Sequence, residues 1–113
     1  MLDSINWPAI LIIDNDELLY YLESANDLLS ELQQHYLSSA DSCNLLELSG
    51  QKHLLNTSDT HHPTSQLSNN LDLTLFNQMV RNHLSARQQC CVLKITLASF
   101  DQGFELVRNT SDD

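Results

Sequence analysis

The chain reads as a single α+β domain: a mainly antiparallel sheet with helices packed on it, in the order β-β-α-β-β-α-β-α. Three observations carry this reading. The stretch Cys90 to Ala98, CCVLKITLA, has the β-branched, almost wholly apolar character of an interior strand covered on both faces. Elsewhere, short apolar runs come in pairs separated by turn-forming residues, as in hairpins. Two further segments repeat apolar residues at three- and four-residue spacing, as amphipathic helices do. At 113 residues and 42% apolar, the chain is long enough to bury one core without disulfides or a structural metal.

Taken in order, Ile5 to Pro8 forms an approach segment in which Pro8 holds Trp7 extended and Trp7 packs down as a lid. Ala9 to Ile13 is a short apolar strand. Asp14, Asn15 and Asp16 make a turn, because Asn and Asp tolerate left-handed backbone and bond their own neighbours. Glu17 to Leu22 returns as the second strand of a hairpin. Ser24 with Asp27 approximates a capping box, and Leu28, Leu29, Leu32 and Tyr36 then mark a helix from about Ala25 to Tyr36. Cys43 to Ser49 reads as a strand with Leu46 and Leu48 on one face and Leu45 and Glu47 on the other. Gly50 and Gln51 then turn the chain into His53 to Asn56.

Between Thr57 and Asn70 the composition becomes polar, with Leu67 its one aliphatic residue, and this reads as a surface loop. Helical spacing resumes at Leu75, Phe76, Met79, Val80, His83 and Leu84, capped by Asp72 or Thr74 and ending near Gln88. The strand Cys90–Ala98 follows as the centre of the sheet. Ser99 with Gln102 repeats the capping spacing ahead of a short last helix containing Phe104, Leu106 and Val107, despite the roughly 1 kcal/mol that Gly103 costs inside a helix. The domain spans 1–108, and 109–113 reads as a frayed tail.

Five Lys plus Arg stand against fifteen Asp plus Glu, a net charge of −10. So acidic a chain is repelled by phosphate backbones and anionic membranes, which sets nucleic acid and membrane aside as partners. The N-terminus lacks the basic and apolar signature of a secretory signal, and the apolar runs are far shorter than the roughly 20 residues that cross a bilayer. A cytoplasmic protein is expected. Its three cysteines fit buried thiols rather than a disulfide framework.

Each chemically suggestive cluster has a plainer explanation. Cys90 and Cys91 point to opposite faces of a strand and so act as packing residues rather than ligands to one metal. His61 and His62 lie in the polar stretch and could gather a metal ion with His53, but adjacent histidines lack the i, i+4 spacing that puts two imidazoles on one face. His83 sits at the apolar side of its helix, where a lone histidine ordinarily bonds backbone carbonyls. Lys94, in mid-strand, must reach solvent or pair with Glu47 or Glu105. Asp14, Asp16 and Glu17 lack the spacing and glycine of a calcium loop and read as a solvated turn. No phosphate loop, dinucleotide fingerprint or nucleophile elbow is present, and no cofactor is implied.

The segments Ile5-Asn6-Trp7-Pro8-Ala9 and Cys90-Cys91-Val92-Leu93-Lys94 together resemble a small bacterial family, the domain-of-unknown-function family numbered 4144. The resemblance spans nearly the whole chain. It implies one compact domain and transfers no catalytic residue.

Three functions are compatible with these residues. The favoured one is an interaction or accessory module without enzymatic activity, forming a homodimer through a sheet edge or an apolar strip near Trp7 and Tyr20. Asp14, Asp16 and Glu17 are its further candidate contact residues. The second is an acidic decoy for a basic nucleic-acid-binding or regulatory protein, which requires carboxylates gathered on one face. The third is a metal-binding protein or enzyme built on His53, His61, His62 or His83, which requires those imidazoles to converge.

Overall fold

The structure is a computed structural model that describes residues 5–13, 18–34, 43–56, 64–86 and 97–111, with the backbone alone at 33, 34, 56, 64, 65, 110 and 111. Five strands form one antiparallel sheet: β1 (Ala9–Ile13), β2 (Leu19–Leu22), β3 (Cys43–Glu47), β4 (Gln51–Asn56) and β5 (Thr64–Asn70), in spatial order β2-β1-β3-β4-β5. Three helices lie among the described residues: α1 (Ala25–Gln34), α2 (Leu73–Ala86) and α3 (Phe100–Ser111).

Alternation along β1 divides the core in two. Ala9, Leu11 and Ile13 face one side with Leu22, Leu45, Leu55, Cys43 and, from α1, Leu28 and Leu32. Ile10 faces the other with Leu19 and Leu46, against Phe76, Val80 and Leu84 of α2 and Phe104 and Val107 of α3. The sheet is thus the middle of three layers. Trp7, joined to Pro8 by a cis peptide bond, lies half-buried against the α1 side, as does Tyr20.

Local chemistry places the helices. Asp27 donates its backbone N–H to Ser24 Oγ at 3.4 Å and receives that of Glu23 on Oδ2 at 3.0 Å, a reciprocal cap at the start of α1. Asp72 caps α2 through Oδ1, which accepts the Thr74 N–H at 3.2 Å. Ahead of α3, Gln102 Oε1 reaches back to the Ala98 N–H at 2.8 Å, and Asn77 Oδ1 takes the Leu97 N–H at 3.0 Å, tying α2 to the start of α3. Gly103 lets the two helices meet. A Cβ there would stand 2.8 Å from Phe76 Cζ and closer still to Cε2, so only a bare Cα fits under the ring.

The structure departs from the expected order in two places. Thr64–Asn70, read as the second half of a surface loop, is β5; an edge strand exposed on both faces has no buried side to impose apolar alternation, so its polar letters resemble a loop. The first half of that stretch, 57–63, lies outside the described residues. Among the described strands, β1, β3 and β4 hold the interior positions, each bonded to a strand on both sides, where the sequence puts Cys90–Ala98 at the centre. Residues 90–96 lie outside the described residues, while Leu97 and Ala98 are irregular, with Leu97 buried against α2 and α3. Finally, α3 continues to Ser111, past the expected fray at Asn109. Among the described residues, no helix is long and apolar enough to cross a membrane.

Candidate functional site

The β3–β4 hairpin builds the most polar buried spot in the described structure. Its loop is Leu48-Ser49-Gly50, closed by the Gly50 N–H on the Glu47 carbonyl at 2.9 Å, with Gly50 at φ +90°. That three-residue turn with a left-handed glycine sets Leu45 opposite His53 and Leu46 opposite Lys52. By alternation Glu47 and His53 then share the α1 side of the sheet. His53 Nε2 lies 2.7 Å from Glu47 Oε2, and the two side chains are 6% and 1% exposed. The Asn6 N–H donates to the same oxygen at 3.2 Å, while Asn6 Nδ2 and Ser49 Oγ each reach Oε1 at 3.4 Å.

Four donors therefore converge on one carboxylate, as the cost of burying a carboxylate demands. Chemically the cluster is a clasp: Glu47 joins the approach segment before β1 to both arms of the hairpin. It also fixes the ring of His53, whose Nε2 is committed to the pair.

The second buried imidazole does similar work. His83, on α2, accepts the Leu19 N–H on Nδ1 at 2.8 Å. On Nδ1 the ring accepts from a backbone N–H, because the helix brings it over the first N–H of β2. It pins α2 to the β2 edge of the sheet.

Of the proposed site residues, then, His53 and His83 belong to separate structural bonds on opposite sides of the sheet, and His61 and His62 lie outside the described residues. No group of three or more metal-ligating side chains comes together among the described residues. Asp14, Asp16, Glu17, Cys90, Cys91 and Lys94 also lie outside them. Of the two expected partners for Lys94, Glu47 holds Asn6, Ser49 and His53 among the described residues, and Glu105 is exposed. Trp7 and Tyr20 spend their apolar bodies on the core rather than forming an exposed strip.

Exposed apolar surface lies elsewhere. Leu55 of β4 joins the α1-side core, while the β4–β5 pair carries Leu54, 45% exposed, on one face and Leu67, 58% exposed, on the other. Residues 66–70 are all exposed, and β5, the edge among the described strands, has no charged residue and no proline along it. Near its end, Lys52 stands opposite both Ser68 and Asn69, a bulge between the pairs His53–Leu67 and Gln51–Asn70. Sequence reading missed this edge because its single leucine sits in a run of polar letters.

A family profile described as a protein structure with unknown function matches residues 7–107. Among solved structures, the NMR structure of a protein from Shewanella amazonensis is similar with a TM-score of 0.67, covering 95% of this chain and 90% of that chain. At 20% identity that likeness shows the fold alone. No curated protein matches the chain. The profile covers most of the sequence, including the Trp7-Pro8-Ala9 and Cys90–Lys94 motifs, and the chain belongs to the domain-of-unknown-function family 4144.

Proposed function

We propose that this is a small cytoplasmic protein-interaction module without enzymatic activity, and that it engages its partner through the β4–β5 end of the sheet. The observation that carries this reading is β5 itself: seven residues long, the edge among the described strands, with side chains 66–70 exposed and no lysine, proline or inward charge to block an added strand. Leu54 and Leu67 add apolar surface on its two sides. The groups best suited to chemistry are meanwhile engaged in holding the fold, Glu47 with His53 and His83 with the Leu19 backbone.

The decoy reading receives less support. Among the described residues, Glu23, Asp27 and Glu31 lie on or beside α1, while Asp72, Asp101 and Glu105 lie on or beside α2 and α3 across the sheet, so the acids are not gathered on one face.

Paired capture from the native cell tests the proposal, with the full chain and its Leu67→Asp variant as baits. Partners retained by the first and lost by the second are expected. Equal recovery by both baits would contradict a role for β5.

A further inference from the structure

Resting on the reading of β5 as the contact edge, we infer that the partner is a second copy of this chain, joined by antiparallel β5–β5 pairing about a two-fold axis normal to the sheet. Charge is the first argument. Two copies at −10 each repel almost everywhere, yet residues 60–71, between Asp59 and Asp72, contain no Asp, Glu, Lys or Arg. This uncharged stretch includes all of β5, so the edge that is unpaired among the described strands is also where self-repulsion is weakest.

Geometry supplies the second argument. An antiparallel contact between identical edges is self-complementary, and a two-fold normal to the sheet keeps both α1 helices on one side. Facing residues in such a pair point to the same face, so the axis must pass beside a residue and its own copy. Leu67 is the most exposed large apolar residue described and ends the regular part of the β4–β5 ladder. With the axis at residue 66 or 67, the two Leu67 side chains meet on one face, either directly opposed or diagonally paired. The bulge at Ser68–Asn69 interrupts regular pairing beyond that point. A two-fold contact closes on itself and yields a dimer rather than a growing sheet.

Sedimentation velocity of the full chain over a concentration series tests the inference, with Leu67→Asp and Leu67→Lys as variants whose folding is checked by circular dichroism. A concentration-dependent dimer is expected for the native sequence. Each variant alone places like charges across the axis and should weaken it at least tenfold, while an equimolar mixture of the two should recover a heterodimer. A native chain that stays monomeric up to millimolar concentration, or variants that dimerise as the native chain does, would overturn the inference; so would a mixture that remains monomeric. If the chain is monomeric but still captures a different protein in a Leu67-dependent way, the second copy is wrong and the β5 reading stands. If capture is indifferent to Leu67 as well, both fall.

Discussion

His53 Nε2 stands 2.7 Å from Glu47 Oε2 with both side chains almost wholly removed from water, and Asn6 and Ser49 complete the carboxylate's shell. Removing one partner of such a pair leaves a buried hydrogen-bonding group short of a partner, which costs about 1–3 kcal/mol. His53→Ala and Glu47→Ala should therefore each destabilise strongly in urea unfolding. The double variant should lose well under the sum of the two, with a coupling of at least about 1 kcal/mol. Additive losses would show that the two side chains do not act as a unit.

The imidazole of His83 makes a sharper prediction, because Nδ1 can accept the Leu19 N–H only if it carries no proton. Long-range nitrogen–proton correlation spectra should show His83 as the Nε2–H tautomer in the folded protein. Replacing it by Leu, close in bulk but unable to accept, orphans the Leu19 N–H and should cost about 1–3 kcal/mol. An Nδ1–H tautomer would contradict the bond.

Gly103 offers a test with an informative sign. Helix propensity alone predicts that Gly103→Ala stabilises α3 by about 1 kcal/mol. The Phe76 ring beside its Cα predicts the reverse, a loss of about 1–3 kcal/mol from overpacking, relieved when Phe76 is trimmed to Leu. Phe76 also stacks on Phe100 with centroids 5.2 Å apart, a second contact that restrains its ring. Thermal unfolding of the two single variants and the double decides between them.

At Gly50 the backbone itself is the constraint. With φ at +90°, and Phe100 Cε2 only 3.0 Å from where a Cβ would stand, Gly50→Ala should cost about 1–3 kcal/mol. It should also loosen the hairpin that sets Glu47 beside His53, seen as broadened His53 resonances. An unchanged melting temperature would contradict the turn.

Much of this fold was legible in the letters, and the exceptions have physical causes. β1 was read to the residue and α1 from its cap, because an apolar run and a Ser–Asp pair are local signals. The Glu47–His53 clasp was hidden by a turn displaced by little. A two-residue turn at Gly50–Gln51 pairs Ser49 with Lys52 and sends Glu47 and His53 to opposite faces; the observed loop at Leu48–Gly50 puts them on one. His83 was placed at the core, but no spacing reveals that its partner is a backbone N–H sixty-four residues away. The strand reading of Cys90–Ala98 falls at 90–96 outside the described residues, and its last two residues, Leu97 and Ala98, are irregular.

Salt dependence separates the proposed dimer from a contact held by opposite charges. Two copies at −10 repel, so screening should strengthen pairing at an uncharged edge. The dimer fraction should rise between low salt and about 0.5 M sodium chloride. A dimer that dissociates with added salt would be held by ion pairs and would not be the β5 contact.

Amide hydrogen exchange across a concentration series tests the β5 edge most directly. Backbone N–H groups of residues 64–67 that point away from β4 should exchange quickly in dilute solution and slow down as concentration rises, while those of β2 keep one rate throughout. Exchange at β5 that is fast at every concentration, or protection that appears on β2 instead, would contradict it.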